Sequence, residues 1–208
     1  MLHYKKYDTY DDYLEDQVAK ANLREAKIRL KSERKYTDFI KDFSRYGGFI
    51  RPKDRIICLG ARFGEEVRAF RDRGYPEAMG IDLFGEEEGL VVKGDWNHMP
   101  FGDGTFDIVY TNSIDHSYNL ETEIKEIKRV LKSDGKMIIA LDCNHTAGTN
   151  TEKVLSKLAN PERYEAVLWN EDNDVIKPFI DNGFAIGFAW RDRRWHTYLL
   201  ERKNGKTV

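Results

Sequence analysis

Cysteine, long apolar runs and a surplus of one charge are all scarce in this 208-residue chain. Its two cysteines, Cys58 and Cys143, cannot build the disulfide framework of a small secreted protein, and we expect both to be free thiols. The longest apolar run covers residues 56–61, far fewer than the roughly 20 residues that cross a bilayer, so we predict no membrane span. Residues 1–20 also lack the apolar segment of a signal peptide. Together these absences predict a cytoplasmic protein.

The charges nearly cancel, because 34 basic and 36 acidic side chains give a formal net charge of −2. This balance disfavours a nucleic-acid-binding surface that extends over the whole chain. Segment 17–55 is an exception, with 12 basic and 5 acidic residues, but its cations fall on several helical faces. We interpret it as the solvated side of surface helices and keep nucleic acid as a disfavoured partner. The 11 Phe, 11 Tyr and 4 Trp side chains are enough for a core, which excludes disorder as the main state.

Glycine and proline are missing before residue 47, and this stretch is rich in charged residues. Such a composition is typical of helices, with Asp8 or Thr9 as a candidate N-cap and Gly47-Gly48 as a stop. We therefore predict that residues 1–53 form a helical segment, which acts as a lid over a ligand cleft or packs on the domain's flank. Residues 54–208 are predicted to form the main domain.

From residue 54 onwards, short apolar runs alternate with helical patterns. Strands are predicted at 56–59, 78–82, 90–92, 106–110 and 137–141, helices at 65–73, 120–131, 151–159 and 172–182, and a turn at Asp134-Gly135. Two further runs, 184–190 and 195–200, predict a closing antiparallel hairpin. The alternation predicts an α/β fold with a doubly wound, mostly parallel sheet, the hairpin at its C-terminal end and helices at its N-terminal end.

The ends of the first two predicted strands carry the pattern of a nucleoside site. Gly60 and Gly64 flank a turn in which a ligand can approach the backbone closely. Asp82 ends the second strand, where a carboxylate can accept hydrogen bonds from both hydroxyls of a ribose. After the third strand, Asp95 could accept from an adenine amino group while Trp96 covers the ring. The loop lacks the Gly-x-Gly-x-x-Gly order of NAD enzymes, which makes an NAD enzyme a minor alternative.

Residues 54–142, roughly two-fifths of the chain, resemble the core of class I S-adenosylmethionine-dependent methyltransferases. The segment 94–101, followed by Phe106-Asp107-Ile108-Val109, is similar to that family's third and fourth motifs, and 126–136 is similar to its helix and turn before the fifth strand. The resemblance implies a Rossmann-like fold, S-adenosylmethionine as cofactor and methyl transfer as the reaction. It implies a cofactor site at Gly60, Ala61, Arg62, Gly64, Asp82, Leu83, Asp95, Trp96 and Asn112. We expect a small-molecule acceptor and make no prediction of oligomeric state.

The first loop departs from the family pattern at two positions. Cys58 stands where the family usually has an acid, and Arg62 stands where it has a second glycine. The resemblance gives that acid a role near the amino end of the cofactor, so either affinity is reduced or another residue takes over. The loop is similar to that of a methyltransferase-like subgroup with the pattern Gly-Ala-Arg-x-Gly. We expect Arg62 to pair with the cofactor carboxylate or to anchor Asp82 or Glu66.

His116 follows the fourth strand, where the acceptor is expected, and is the candidate catalytic base, with Asp115 as its partner. Neighbouring residues do not face each other on a helix, so such a pair requires an irregular turn. A role for His116 in hydrogen bonding the substrate and a structural role both stay open. His98, Asp142, Cys143 and His145 lack the spacing of a zinc site, and we predict no metal. The alternatives to a small-molecule enzyme are a methyltransferase-like binding protein and an RNA methyltransferase.

Overall fold

A computed structural model describes residues 1–84, 87, 89–142, 156, 158, 165–192 and 195–203. Its strands are β1 (Leu2–Tyr4), β2 (Ile56–Leu59), β3 (Met79–Asp82), β4 (Val91–Lys93), β5 (Phe106–Thr111), β6 (Leu131–Asp142), β7 (Val167–Trp169), β8 (Phe184–Arg191) and β9 (Trp195–Arg202). Its helices are α1 (Tyr10–Arg29), α2 (Ser32–Phe43), α3 (Glu65–Asp72), α4 (Leu120–Val130) and α5 (Asp172–Asp181). Short 3-10 helices cover Ser44–Tyr46 and Ile114–His116.

Seven strands form the central sheet in the order β4-β3-β2-β5-β6-β9-β8. The five strands from β4 to β6 are parallel, and β9 runs antiparallel to both β6 and β8. The predicted fold class, with its C-terminal antiparallel pair and N-terminal helices, is therefore confirmed. A separate pair of strands, β1 and β7, ties the N-terminus to the segment before α5.

The predicted turn at Asp134-Gly135 is wrong in detail, because both residues lie within β6. Phe106 and Ile108 of β5 pair with Leu131 and Lys136 of β6, so two steps on one strand face five on the other. The three surplus residues of β6 interrupt the regular pairing of a continuous strand, in the manner of a bulge.

Two other predicted helices need comment. The helix predicted at 151–159 lies outside the described residues except for Ser156 and Leu158, which are helical. The helix predicted at 172–182 is present as α5, with Pro178 inside it.

Helices cover both faces of the sheet, as the alternating pattern predicts. On one face, Ile124 and Ile127 of α4 are fully buried in a core that includes Phe179 of α5. On the other, Phe43 of α2 stacks on Phe70 of α3, with ring centroids 4.0 Å apart. Within the described part of the chain, no helix is both long and apolar enough to cross a membrane.

The chain order places a crevice at the carboxyl end of β2. From β2 the chain builds outwards through β3 and β4, and then returns to add β5 and β6 on the other side. The connections therefore diverge between β2 and β5, and such a switch point is where open α/β sheets bind ligands.

The helix α1 has its N-cap at Thr9, whose side chain accepts from the Asp12 amide in a capping box. This confirms one of the two predicted caps.

Candidate active site

A cavity of about 610 Å³ opens at this switch point, a volume typical of small-molecule sites. One wall is built by residues that follow the strands: Gly60, Ala61, Arg62, Asp82, Leu83, Phe84, Gly94, Trp96, Asn112, Ser113, Asp115, His116 and Asp142. The opposite wall comes from α1 and α2. Tyr13, Gln17, Ala21, Arg24 and Ile28 recur every three or four residues, so they share one face of α1 that is turned to the cavity.

The loop after β2 depends on glycine at both ends. Gly60 has a φ of +71°, and a side chain there would place its Cβ 2.8 Å from the Cβ of Ser113. Gly64 has a φ of +73° and is the N-cap of α3, and a Cβ there would lie 2.9 Å from the Cβ of Leu90. These glycines bring the backbone close to its neighbours, which leaves the space above the loop to the cavity.

Asp82 connects this loop to the end of β3. One carboxylate oxygen accepts from the backbone N–H of Arg62 at 2.9 Å, and the other accepts from the N–H of Phe84 at 2.7 Å. Desolvation raises the pKa of Asp82, while these two backbone hydrogen bonds and the charges of Arg62 and His116 oppose the rise. The two bonds fix the plane of the carboxylate, whose remaining lone pairs can accept from a ligand.

Arg62 fills a position that glycine would suit better, since its φ of +46° lies in the left-handed region. Its guanidinium donates to the backbone oxygen of Ala21 in α1 at 2.7 Å and lies over the rings of Phe63 and Phe84. Its Nε is buried without a hydrogen-bond partner. The backbone of Arg62 thus anchors Asp82, as one of the two expectations had it, while its side chain holds α1 against the loop.

Trp96 and Asp95 follow β4 but have different surroundings. Trp96 is buried and lines the cavity, next to Gly60, and its indole Nε1 has no hydrogen-bond partner. Asp95 accepts from the hydroxyl of Tyr10 and from the backbone and side-chain nitrogens of Asn97. Asp95 and Gly64 are the two predicted cofactor residues that are not among those lining the cavity.

The irregular turn that an Asp115–His116 pair requires is present, because both residues lie in a short 3-10 helix. The His116 Nε2 atom is 3.6 Å from a carboxylate oxygen of Asp115. The His116 Nδ1 atom is 2.9 Å from Oε1 of Gln17, and the His116 backbone oxygen accepts from the Tyr13 hydroxyl at 2.8 Å. The imidazole is therefore held on one side by the turn and on the other by α1. When Gln17 Oε1 accepts from Nδ1–H, the lone pair of the neutral ring lies on Nε2.

Sequence reasoning missed the cavity residues of α1 and gave the two acids of α3 no ligand role, since Glu66 entered it only as an expected partner of Arg62. Glu65 and Glu66 are both buried and both line the cavity. Desolvation raises the pKa of Glu66 to about 8, the charges of Glu65 and Asp82 add to this rise, and Lys35 opposes it. The signal in the sequence was a pair of acids at the start of a helix, which is usually read as a favourable dipole interaction on the surface.

Cys58 is free and fully buried, and burial raises the pKa of its thiol. Cys143 and His145 lie outside the described residues. Among the residues that the structure does describe, no three His, Cys, Asp or Glu side chains form a group that could hold a metal ion.

Residues 57–139 match a family model described as a methyltransferase domain. The matched segment starts in β2 and ends in β6, so it contains the loop, Asp82, Trp96 and the turn at His116. Over residues 57–139 the chain is therefore similar to a methyltransferase domain.

Two curated relatives match parts of this chain. Sterol 24-C-methyltransferase erg6 of Schizosaccharomyces pombe is 47% identical over 107 residues, which cover 41% of this chain and 27% of that protein. Sterol 4-C-methyltransferase strm-1 of Caenorhabditis elegans is 46% identical over 50 residues, 24% of this chain and 15% of that protein. The matches therefore span less than a third of either relative's length.

Solved structures share this fold across much of the chain. A chain of the complex between the Haloferax volcanii Trm112 methyltransferase activator and a candidate methyltransferase has a TM-score of 0.68 at 15% identity, covering 92% of this chain and 98% of that one. An S-adenosylmethionine-dependent methyltransferase from Mesorhizobium loti has a TM-score of 0.61 at 14% identity, covering 77% of this chain and 97% of that one. Geranyl diphosphate C-methyltransferase from Streptomyces coelicolor A3(2) was solved in complex with Mg²⁺, geranyl diphosphate and S-adenosyl-L-homocysteine. It has a TM-score of 0.60 at 12% identity, covering 82% of this chain and 81% of that one. At these identities the likeness establishes the fold.

Proposed function

We propose that this protein transfers a methyl group from S-adenosylmethionine to a small-molecule acceptor. The observation that carries the proposal is the open cavity at the switch point, which Asp82, Trp96 and the Gly60 loop all line. When bound, the cofactor supplies an activated methyl group on a sulfonium, and the protein supplies position and a site shielded from water.

The residues that line the cavity fit such a cofactor. Asp82 would accept from the ribose hydroxyls with the lone pairs that its two backbone donors leave free. Trp96 would cover the adenine ring. Its buried Nε1–H, which has no partner, can donate a hydrogen bond to an acceptor of the ligand. Asn112 would take part from the end of β5, where its side-chain oxygen accepts from Ser113. The buried Trp96 Nε1–H without a partner supports a ligand site rather than a plugged crevice.

We propose that His116 faces the acceptor and removes its proton when the acceptor arrives protonated. The contacts to Gln17 and Asp115 support a fixed ring orientation with Nε2 as the basic atom. The test is turnover of His116→Ala on an identified acceptor, together with its affinity for S-adenosylhomocysteine. A base role predicts a 10²-fold or larger loss of turnover with unchanged affinity. Full turnover would contradict it.

We propose that residues 1–53 act as a lid on the methyltransferase domain of residues 54–208. Support comes from α1, whose cavity-facing side chains include Gln17 against His116 and whose backbone oxygen at Ala21 accepts from the Arg62 guanidinium.

Cys58, a buried free thiol, fits the cytoplasmic location predicted from the sequence.

A small molecule remains the favoured acceptor. Lys20, one of the cations of segment 17–55, is buried and paired with Asp16, so this segment is not one continuous basic face. Arg34 and Lys35 do line the outer part of the cavity, which suits an acceptor with an anionic group. Salt-dependent binding of RNA would instead favour the RNA methyltransferase.

The proposal is tested by thermal unfolding with S-adenosylmethionine, S-adenosylhomocysteine, NAD or no ligand. At a concentration 100 times the Kd, a ligand stabilises the folded state by about 2.7 kcal/mol, which corresponds to a Tm increase of roughly 5 to 10 °C for a chain of this size. We expect this shift with the two sulfur nucleosides and none with NAD. A binding protein without catalysis would show the shift but no methyl transfer, and absence of any shift would contradict the proposed cofactor.

A further inference from the structure

Two neighbouring carboxyl groups at the start of α3 are buried without an ion pair to any residue that the structure describes. Glu65 and Glu66 are each 3% exposed and both line the cavity. Among the described residues, neither forms an ion pair, and Oε1 of Glu65 is buried without a hydrogen-bond partner. A buried, unpartnered carboxylate oxygen is costly, and a cavity-lining one points to a ligand that supplies the missing donor.

The groups around Glu66 come from several elements, and most are acidic or neutral. Glu65 on the same helix and Asp82 of β3 act on it as negative charges, and Lys35 of α2 acts as a positive one. Cys58 of β2 and Tyr110 of β5 are fully buried and feel the charge of Glu66. Lys35 is itself exposed, so it is a weak counter-ion for a buried carboxylate.

We propose that Glu65 and Glu66 form an ammonium-binding subsite of the cavity and that it takes the α-amino group of S-adenosylmethionine. This inference rests on the proposed function. An ammonium group carries three N–H donors and no acceptor, so it can bond to both carboxylates at once. The pair begins the helix that directly follows the Gly60 loop, and its charge acts on that of Asp82, the proposed ribose partner. The pair and Asp82 therefore belong to one stretch of the cavity wall.

The proposed subsite couples ligand binding to proton release. Burial raises the pKa of Glu66 to about 8, so this carboxyl group is largely protonated at pH 6 in the free protein. An ammonium group binds the ionised form, and the proton must leave. Affinity should therefore rise between pH 6 and pH 8, by up to about tenfold per pH unit.

The experiment is calorimetric titration of the whole protein with S-adenosylhomocysteine and with 5′-methylthioadenosine, which keeps the nucleoside and the sulfur but lacks the amino-acid portion. Both ligands are titrated at pH 6, 7 and 8, in buffers of different ionisation enthalpy, into the wild type, Glu65→Gln and Glu66→Gln. Glu121→Gln, at an exposed glutamate of α4 that pairs with Lys125, is the matched control. Binding of 5′-methylthioadenosine also reports whether each variant is folded.

We expect both Gln variants to lower the affinity for S-adenosylhomocysteine at least tenfold at pH 8. We expect their affinity for 5′-methylthioadenosine to stay within twofold of the wild-type value. We also expect proton release and a pH dependence for S-adenosylhomocysteine alone, both lost in Glu66→Gln. Equal effects on the two ligands, or none, would overturn the subsite. Ethylamine is also titrated, into protein saturated with 5′-methylthioadenosine, as a probe of an ammonium site outside the cofactor. If the Gln variants lose ethylamine binding but still bind S-adenosylhomocysteine, the assignment to the cofactor is overturned, because the ammonium group then belongs to an acceptor. A wild type that binds neither nucleoside would contradict the proposed function itself.

Discussion

Asp82 is the residue on which the proposed nucleoside site depends most. Its two oxygens each accept a backbone N–H, from Arg62 at 2.9 Å and from Phe84 at 2.7 Å. These bonds connect two loops through one carboxylate. They also fix the orientation in which that carboxylate can accept from a diol. An amide at this position has a single oxygen, so one of the two backbone donors would face an NH₂ group.

We therefore expect Asp82→Asn to lower the affinity for 5′-methylthioadenosine by roughly 10- to 100-fold, because hydrogen bonds to a charged group contribute about 1.5–3 kcal/mol. The measurement is calorimetric titration. Asp134→Asn, at an exposed position of β6, is the control and should bind like the wild type. Equal affinity of wild type and Asp82→Asn would remove Asp82 from the site.

Gly60 and Gly104 form a matched pair for the loop geometry. Both have positive φ, +71° and +61°, so alanine pays the conformational cost at either position. A Cβ at Gly60 also meets Ser113 at 2.8 Å, whereas one at Gly104 has no heavy atom within 4 Å. We expect urea unfolding to show a loss of about 1 kcal/mol for Gly104→Ala and at least about 1 kcal/mol more for Gly60→Ala. Equal losses would mean that the loop has room above Gly60.

Part of the site could be predicted from local sequence, and part could not. The glycines, Asp82 and Trp96 follow strands directly, so their place at one sheet edge is set by chain order. The contact of Asp95 with Tyr10 joins residues 85 positions apart, and nothing near Asp95 indicates it. The cofactor role of Asp95, like the roles of the other predicted site residues, remains a prediction.

At the scale of elements, α1 is held by side-chain contacts to loops, which include the hydroxyl of Tyr10 on Asp95 and that of Tyr13 on the backbone oxygen of His116. The Arg62 guanidinium reaches the backbone of Ala21, and Gln17 reaches His116. Tyr13 is the large side chain of α1 that is fully buried, against the rings of Tyr7, Tyr10 and Tyr118. A helix held in this way can open without unfolding the sheet.

We expect Arg62→Ala to increase the amide hydrogen exchange of α1 near Ala21, by about fivefold or more, with no change in α4. This follows because the variant removes a charged donor to α1 and its stacking on Phe63. Arg68→Ala is the matched control, since Arg68 holds α2 through Glu33 and the Tyr36 ring and should affect α2 instead. Unchanged exchange in α1 would show that Arg62 does not hold the lid.

The helix α1 also shows why an apolar stripe is an incomplete guide. Its cavity-facing side chains include Gln17 and Arg24, because they face a ligand space rather than a core. The helix α4 packs on the sheet, and there Leu120, Ile124 and Ile127, spaced four and three residues apart, form the buried face. Periodicity therefore predicted the elements that build the core and missed the face of α1 that lines the cavity.

At the scale of the whole molecule, two buried acids set the dependence of stability on pH. Desolvation raises the pKa of Glu66 to about 8 and that of Glu123 to about 7. Glu123 accepts from the Ser117 hydroxyl at 2.6 Å and the Tyr118 amide at 3.0 Å, which lower its pKa but do not offset its burial. Between about pH 5 and pH 8 the native state therefore holds more protons than the unfolded state.

It follows that the free energy of unfolding should fall as the pH rises from 5 to 8, on the order of 2 kcal/mol. Urea unfolding at pH 5, 6.5 and 8 measures it, and Glu66→Gln and Glu123→Gln should each flatten the slope. Below pH 5 the sign reverses, because ion pairs hold the pKa of Asp107 and Glu126 below their usual values and that stability is lost on acidification. A stability that increases from pH 5 to pH 8 would contradict this account.

The central claim is that S-adenosylmethionine lies across the carboxyl ends of β2, β3 and β5, with its ribose on Asp82. A crystal structure of the protein with S-adenosylhomocysteine tests it most directly. We predict both ribose hydroxyls within hydrogen-bonding distance of the Asp82 carboxylate, the adenine ring against Trp96 and the α-amino group at Glu65 and Glu66. A structure in which the nucleoside binds elsewhere, or in which the protein's own side chains fill this cavity, would contradict the claim.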